Sequence, residues 1–305
     1  MAQDFRFVAL SVGILLLFAL TLFVNYLAGA GEEAIIPIFE TSIGEVSDKY
    51  TTPVTPANWT FAIWGLIYTW QLVLIAYVLS TICRNNDNDE PLYKYPPVIT
   101  YGFLVAYTLN LITNAGWCFF FCNQKMVYAL VIIVLSAVTL YVALINNSIR
   151  VFKFYGDLYK TYRGDLIANY VIIQNGISLY CTWLTIASLI SLSIVQIYLL
   201  GVDVKTSGTI CFTVLAVVIV LLAILENTLL EPYLANVYTS WLVVIWALSG
   251  NLSAHWNPSD LNAIFAVVLL AVAVVALATK IGLRIFKKSY GSNFKTTGVE
   301  YKSFY

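Results

Sequence analysis

Asn110 and Asn114 stand four residues apart in an uncharged stretch; Trp117 follows three later, and Phe119, Phe120 and Phe121 come soon after. At helical periodicity the two amides and the indole share one side. Amides and aromatic rings of this kind recognise rather than react: one hydrogen bond orients a ligand and flat rings cover its apolar body. The same amides serve equally as interhelical hydrogen bonds, which contribute about 0.6–2 kcal/mol within a membrane. A second group is Trp59, Phe61 and Trp64, with Gly65 leaving a gap beside Trp64 for a neighbouring backbone or a flat ligand. These rings fit two readings, an interfacial collar for a helix entered at Pro56, or one wall of a pocket. A third group is Trp183 with the small Ala187 one helical turn later, preceded by Gln174 and Asn175. That step from large to small admits either a packed helix or a flat ligand.

Bond-making chemistry has little support. The one histidine, His255, lies beside Trp256 in a loop, and no metalloprotease helix, nucleophile elbow or phosphate loop is present. No ionisable pair falls deep within an apolar stretch. Glu226 and Glu231 flank a short turn and are expected among solvated headgroups. Five cysteines, Cys83, Cys118, Cys122, Cys181 and Cys211, lie in or at the edges of apolar runs without metal-like spacing, and read as small buried side chains. The chain is therefore expected not to be an enzyme, and to hold no metal. Its formal net charge of +0 excludes an electrostatic footprint for nucleic acid.

These groups must be positioned by membrane helices. Hydrophobic residues make up 60% and charged residues 10%, against roughly 25% charged in an ordinary soluble domain, and mean hydropathy is +0.83. The composition predicts an all-α, multi-pass integral membrane bundle embedded in lipid. Eight uncharged stretches, at 7–31, 51–83, 95–124, 126–149, 166–202, 206–225, 232–259 and 261–279, each hold the roughly 20 residues a bilayer core requires. The long fifth stretch is expected to begin with a polar approach through Asn169. The first loop is acidic, whereas the segment after the fourth span carries Arg150, Lys153, Lys160 and Arg163, and the tail is basic. Positive residues favour the cytoplasm, which places both termini there, in a plasma membrane or an endomembrane. In the last outer loop Asn251-Leu252-Ser253 is a glycosylation sequon.

The segment 43–50 followed by Thr55-Pro56-Ala57-Asn58-Trp59-Thr60-Phe61-Ala62-Ile63-Trp64-Gly65-Leu66-Ile67-Tyr68 resembles the signature of the tryptophan-rich sensory protein or translocator protein family (TspO/MBR). Asn114, Trp117, Phe120 and Phe121 resemble its Asn-x-x-Trp element with a Phe pair, and Trp183, Leu184 and Ala187 its Trp-Leu-x-x-Ala element. Order and placement agree over about residues 7–198. The resemblance implies a five-helix core over 1–198 with a pocket for a flat apolar molecule, porphyrin-like or sterol-like. Trp59, Phe61, Trp64, Asn114, Trp117, Trp183 and Ala187 are its implied pocket residues, to which Asn110, Phe120 and Phe121 are added from the third span. Three further helices over 199–283 and a basic tail over 284–305 depart from the family's usual five, as does Leu189-Ile190-Ser191 where the family often carries Leu-Asn.

Three functions follow. A receptor or sensor would bind a lipophilic small molecule among five helices and use the other three for partner contact or homodimerisation. A secondary transporter would line a path with Asn110, Asn114, Gln174 and Asn175. A scaffold would use the aromatics only for packing. Tyr301-Lys302-Ser303-Phe304 also fits a sorting-signal form.

Overall fold

The computed structural model describes residues 4–295, with side chains through residue 286. Uncharged runs fold as helices because lipid offers the backbone no other hydrogen-bond partner. In chain order they are α1 (Phe5–Ala30), α2 (Ile43–Lys49), α3 (Ile63–Cys83), α4 (Tyr101–Cys122), α5 (Met126–Lys153), α6 (Tyr155–Lys160), α7 (Arg163–Ala168), α8 (Asn175–Tyr198), α9 (Val204–Asn227), α10 (Glu231–Leu234), α11 (Thr239–His255) and α12 (Leu261–Lys295). No strand occurs among the described residues.

Local chemistry sets several helix starts. The Asp4 carboxylate accepts from the Arg6 N–H, the Thr100 hydroxyl from the Phe103 N–H, and Asp203 from the Thr206 N–H. The short α2 carries a complete capping box: Ser42 accepts from the Glu45 N–H while Glu45 accepts from the Ser42 N–H. A π segment (Asn169–Gln174) joins α7 to α8 into one long helical run. Asn169 is fully buried there: its amide donates to the Tyr77 hydroxyl and accepts from Asn147. It is a tertiary tie between three helices rather than the expected polar approach.

Among the described residues, seven helices are long and apolar enough to cross a membrane. The eighth expected span is represented by α11, whose 17 residues extend about 25 Å, less than a full hydrocarbon core. It nevertheless runs beside α8 and α12 between the two ends of the bundle. At one end Asn175 accepts from the Tyr238 and Thr239 N–H groups, and at the other the His255 ring meets the Thr55 carbonyl at 2.8 Å. Chain ends sort accordingly. Asp4, the α5–α7 connection and Arg284 lie at one end; α2, the α4–α5 turn and the α8–α9 loop lie at the other.

Two charge and cysteine expectations are corrected. Glu226 is 5% exposed and Lys280 7%, and their side chains pair at 2.6 Å. The Trp241 indole donates to the other Glu226 oxygen at 2.6 Å, and the Lys280 ammonium lies 5.6 Å from the centre of the Tyr238 ring. Three helices therefore converge on this carboxylate, which desolvates it where a lone turn would have left it wet. Four cysteines are buried, but Cys83 is exposed at the end of α3. The Tyr301–Phe304 sequence lies outside the described residues.

Candidate functional site

Residues 58–62 form a 3-10 turn before α3 begins. The tighter turn sends Trp59 and Phe61 to different places. Trp59 is 45% exposed and meets Trp246 edge-on at 4.8 Å, so it packs against α11 away from any pocket. Phe61 and Trp64 point inward to Trp183, at 6.0 and 6.2 Å between ring centres, both edge-to-face. Trp64 also stacks on Tyr68 one turn later, at 5.5 Å. On α4 the same spacing stacks Trp117 on Phe121 at 4.6 Å.

Between these walls lies a cavity of about 450 Å³. Such a volume falls within the roughly 300–1,000 Å³ of small-molecule sites. Phe61, Trp64, Trp117, Phe121, Trp183 and Ala187 line it, joined by Tyr68, Ile133 and Ile190. Ala187 works as its spacing suggests, since the missing bulk one turn after Trp183 is part of the open volume. At the outer end α2 contributes Ile43, Gly44, Ser47 and Asp48, and Thr55 and Asn58 complete the rim.

Four expected residues do not line it. Asn110 is fully buried and donates to the Ser136 hydroxyl and main-chain carbonyl, a bond between α4 and α5. Phe120 stacks on Tyr128 beyond the cavity. Trp59 packs against α11, as above. Asn114 stands behind the wall, where its amide nitrogen donates to the Tyr180 hydroxyl at 2.6 Å and its oxygen accepts from Asn25 at 2.8 Å. Asn25 is itself at the cavity surface and accepts from the Tyr68 hydroxyl at 2.9 Å. Four helices are thus tied by one polar chain, Tyr68–Asn25–Asn114–Tyr180. Asn25 escaped sequence reasoning because it is a lone amide near the end of an otherwise apolar first span. Only its spacing of one helical turn from Thr21, whose carbonyl takes its second N–H, marks a polar face. Gly65 meets nothing within 4 Å of a Cβ position and is exposed, so the gap beside Trp64 opens outward and not into the cavity.

Asn251 is 5% exposed and its amide nitrogen, the atom a glycan would need, donates to the Pro53 carbonyl at 3.0 Å. The sequon is buried by the packing of α11 against the loop before α3. That packing also includes Ala57 N–H to the Gly250 carbonyl at 3.0 Å and the Trp246 indole to the Thr60 carbonyl at 2.9 Å. A side chain at Gly250 would collide with Thr60, which explains the glycine. The 3-10 turn that aims Phe61 and Trp64 inward is therefore held from outside by α11.

The family model described as TSPO-like protein matches residues 11–281. The chain belongs to this TSPO-like family. The match continues past residue 198 through α9 and α11 and into α12, so it covers the helices that brace the signature as well as those that line the cavity of this TSPO-like chain. No match to a curated protein or to a solved structure was found.

Proposed function

We propose that this TSPO-like chain is a non-enzymatic membrane receptor or sensor that holds a flat lipophilic molecule, porphyrin-like or sterol-like, in the cavity between α3, α4 and α8. The observation that carries this reading is the convergence of seven aromatic residues, Tyr50 among them, on one cavity of about 450 Å³. Rings at these spacings offer broad, weakly directional contact, which suits a rigid apolar body. The ends of α5 and α12 carry the basic residues, so this end is assigned to the cytoplasm and the cavity opens on the opposite side.

The transporter reading loses its path. Asn110, Asn114, Gln174 and Asn175 do not line the cavity, and Asn110, Asn114 and Asn175 hold helices together. Reconstituted proteoliposomes separate the two: a receptor retains a fluorescent sterol at a saturable level without an imposed gradient, whereas ion-gradient-driven accumulation in the lumen would favour transport.

A further inference from the structure

At the end of the bundle that carries the α5–α7 connection, far from the aromatic cavity, a recess of about 30 Å³ lies between the end of α5, the π segment, α10 and α12. A water needs roughly 10–15 Å³ by the same measure, so the recess admits about two or three oxygen-sized groups. Its inner wall is polar. Ser148 lines it and is buried, and the Ser148 hydroxyl has no hydrogen-bond partner. Tyr170 lines it too, and Gln174, one helical turn deeper on the same side, is fully buried with both amide atoms unpartnered. Such groups are costly to bury unpaired. A ligand oxygen that accepts from the Ser148 hydroxyl recovers part of that cost.

The charge of the recess comes from Arg284. One N–H of its guanidinium donates to Asn236 Oδ1 at 2.9 Å, which leaves the rest of the fork for an oxyanion. Lys280, one turn earlier on α12, is committed to Glu226. Glu231 is the one acidic residue on the lining, and it is not without a partner of its own. Nearby, Arg150, Lys153, Lys160 and Arg163 form no ion pair among the described residues, whereas Asp157 accepts from the Tyr95 hydroxyl and Asp165 is paired with Arg84. The field at the mouth is therefore positive. Apolar surface adjoins it: the Phe152 and Tyr233 rings meet at 4.9 Å, and Ile281 and Ile285, close to Arg284 in sequence on α12, are exposed where lipid would lie. From these observations we infer that the recess binds a phosphate group, carried by an anionic phospholipid whose acyl chains lie along α12, with Arg284 as its charge partner and Ser148 as a donor. Its size suits the oxygens of a phosphate monoester and shuts out a bulky headgroup. Free phosphate shares this chemistry, and the test separates the two sources. The site does not depend on the aromatic cavity.

The test titrates the full chain, in micelles of an uncharged detergent, with dihexanoyl-phosphatidic acid, dihexanoyl-phosphatidylcholine and inorganic phosphate. Binding is read as the concentration-dependent rise in unfolding temperature, in wild type, Arg284→Gln, Ser148→Ala and Lys153→Gln. Phosphatidic acid is expected to saturate and to bind about tenfold tighter than phosphatidylcholine. Arg284→Gln should weaken it about tenfold and Ser148→Ala several-fold, while Lys153→Gln, outside the recess, changes it by less than about twofold. Free phosphate that binds as tightly as phosphatidic acid, and is lost in Arg284→Gln, supports the site and assigns it to the soluble ion. Ser148→Ala removes a hydroxyl that bonds nothing within the protein, so it keeps the test open if Arg284→Gln does not fold. No saturable preference for phosphatidic acid, an affinity unchanged in Ser148→Ala and in folded Arg284→Gln, or a loss as large in Lys153→Gln as in Arg284→Gln, the mark of diffuse surface attraction, overturns the inference.

Discussion

Replacing Lys280 by Met leaves the Glu226 carboxylate 5% exposed with the Trp241 indole as its remaining donor. At an effective dielectric constant of about 20, charges 2.6 Å apart attract by roughly 6 kcal/mol. Desolvation of both groups offsets much of that, so the pair's net worth is small while loss of one partner is costly, typically about 3–5 kcal/mol. The remaining Trp241 bond puts Lys280→Met at the low end of that range, about 3 kcal/mol. Glu226→Gln keeps an acceptor for Trp241 but strands the ammonium beside the Tyr238 ring. The double variant removes both charges and should lie within about 1 kcal/mol of wild type, giving a coupling of several kcal/mol. SDS-induced equilibrium unfolding in mixed micelles, followed by tryptophan fluorescence, reads all four species. Single variants within about 0.5 kcal/mol of wild type, with an additive double, would refute the claim that this pair is sealed from water and ties α9 to α12.

Gly250→Ala should cost about 1–2 kcal/mol, because overpacking against Thr60 exceeds the helix-propensity gain; Gly250→Ala with Thr60→Ala should recover most of it in the same unfolding assay. Asn114→Leu strands the Asn25 amide and the Tyr180 hydroxyl, and should lower stability by about 1–2 kcal/mol in that assay. The Glu45 carboxyl is held below its ordinary value by the Ser42 N–H and hydroxyl, so the α2 cap is fully formed above about pH 4.5 and is lost as pH falls through the depressed value. Amide exchange of α2 normalised to that of α5 should rise over that acid range in wild type and show no such step in Glu45→Gln.

What could be read from sequence was set by how local the cause was. Uncharged run lengths located seven helices because lipid imposes length and polarity on each span separately. Phe61, Trp64, Trp117, Phe121, Trp183 and Ala187 were legible because spacings of three and four residues translate directly into shared helix faces. Trp59 was misplaced because the 3-10 turn at 58–62 changes the angular step just where the motif begins. Asn110 and Asn114 share a face as their spacing requires, yet one turns to α5 and the other to α1 and α8, a choice made by neighbouring helices. Glu226 has its partner 54 residues away, and no local pattern announces so distant a pairing. The buried sequon at Asn251 fails for the same reason, since Pro53 covers it from 198 residues away.

The central claim is that the aromatic cavity binds a flat lipophile. Tryptophan fluorescence titration of the purified full chain with a porphyrin and, separately, a sterol tests it most directly, comparing wild type with Trp64→Ala and with Ala187→Trp, which fills the open volume. Saturable quenching in wild type, weakened at least several-fold in both variants while each unfolds cooperatively, is the predicted result. Unsaturable quenching, or equal affinity in a folded Ala187→Trp variant, would contradict it.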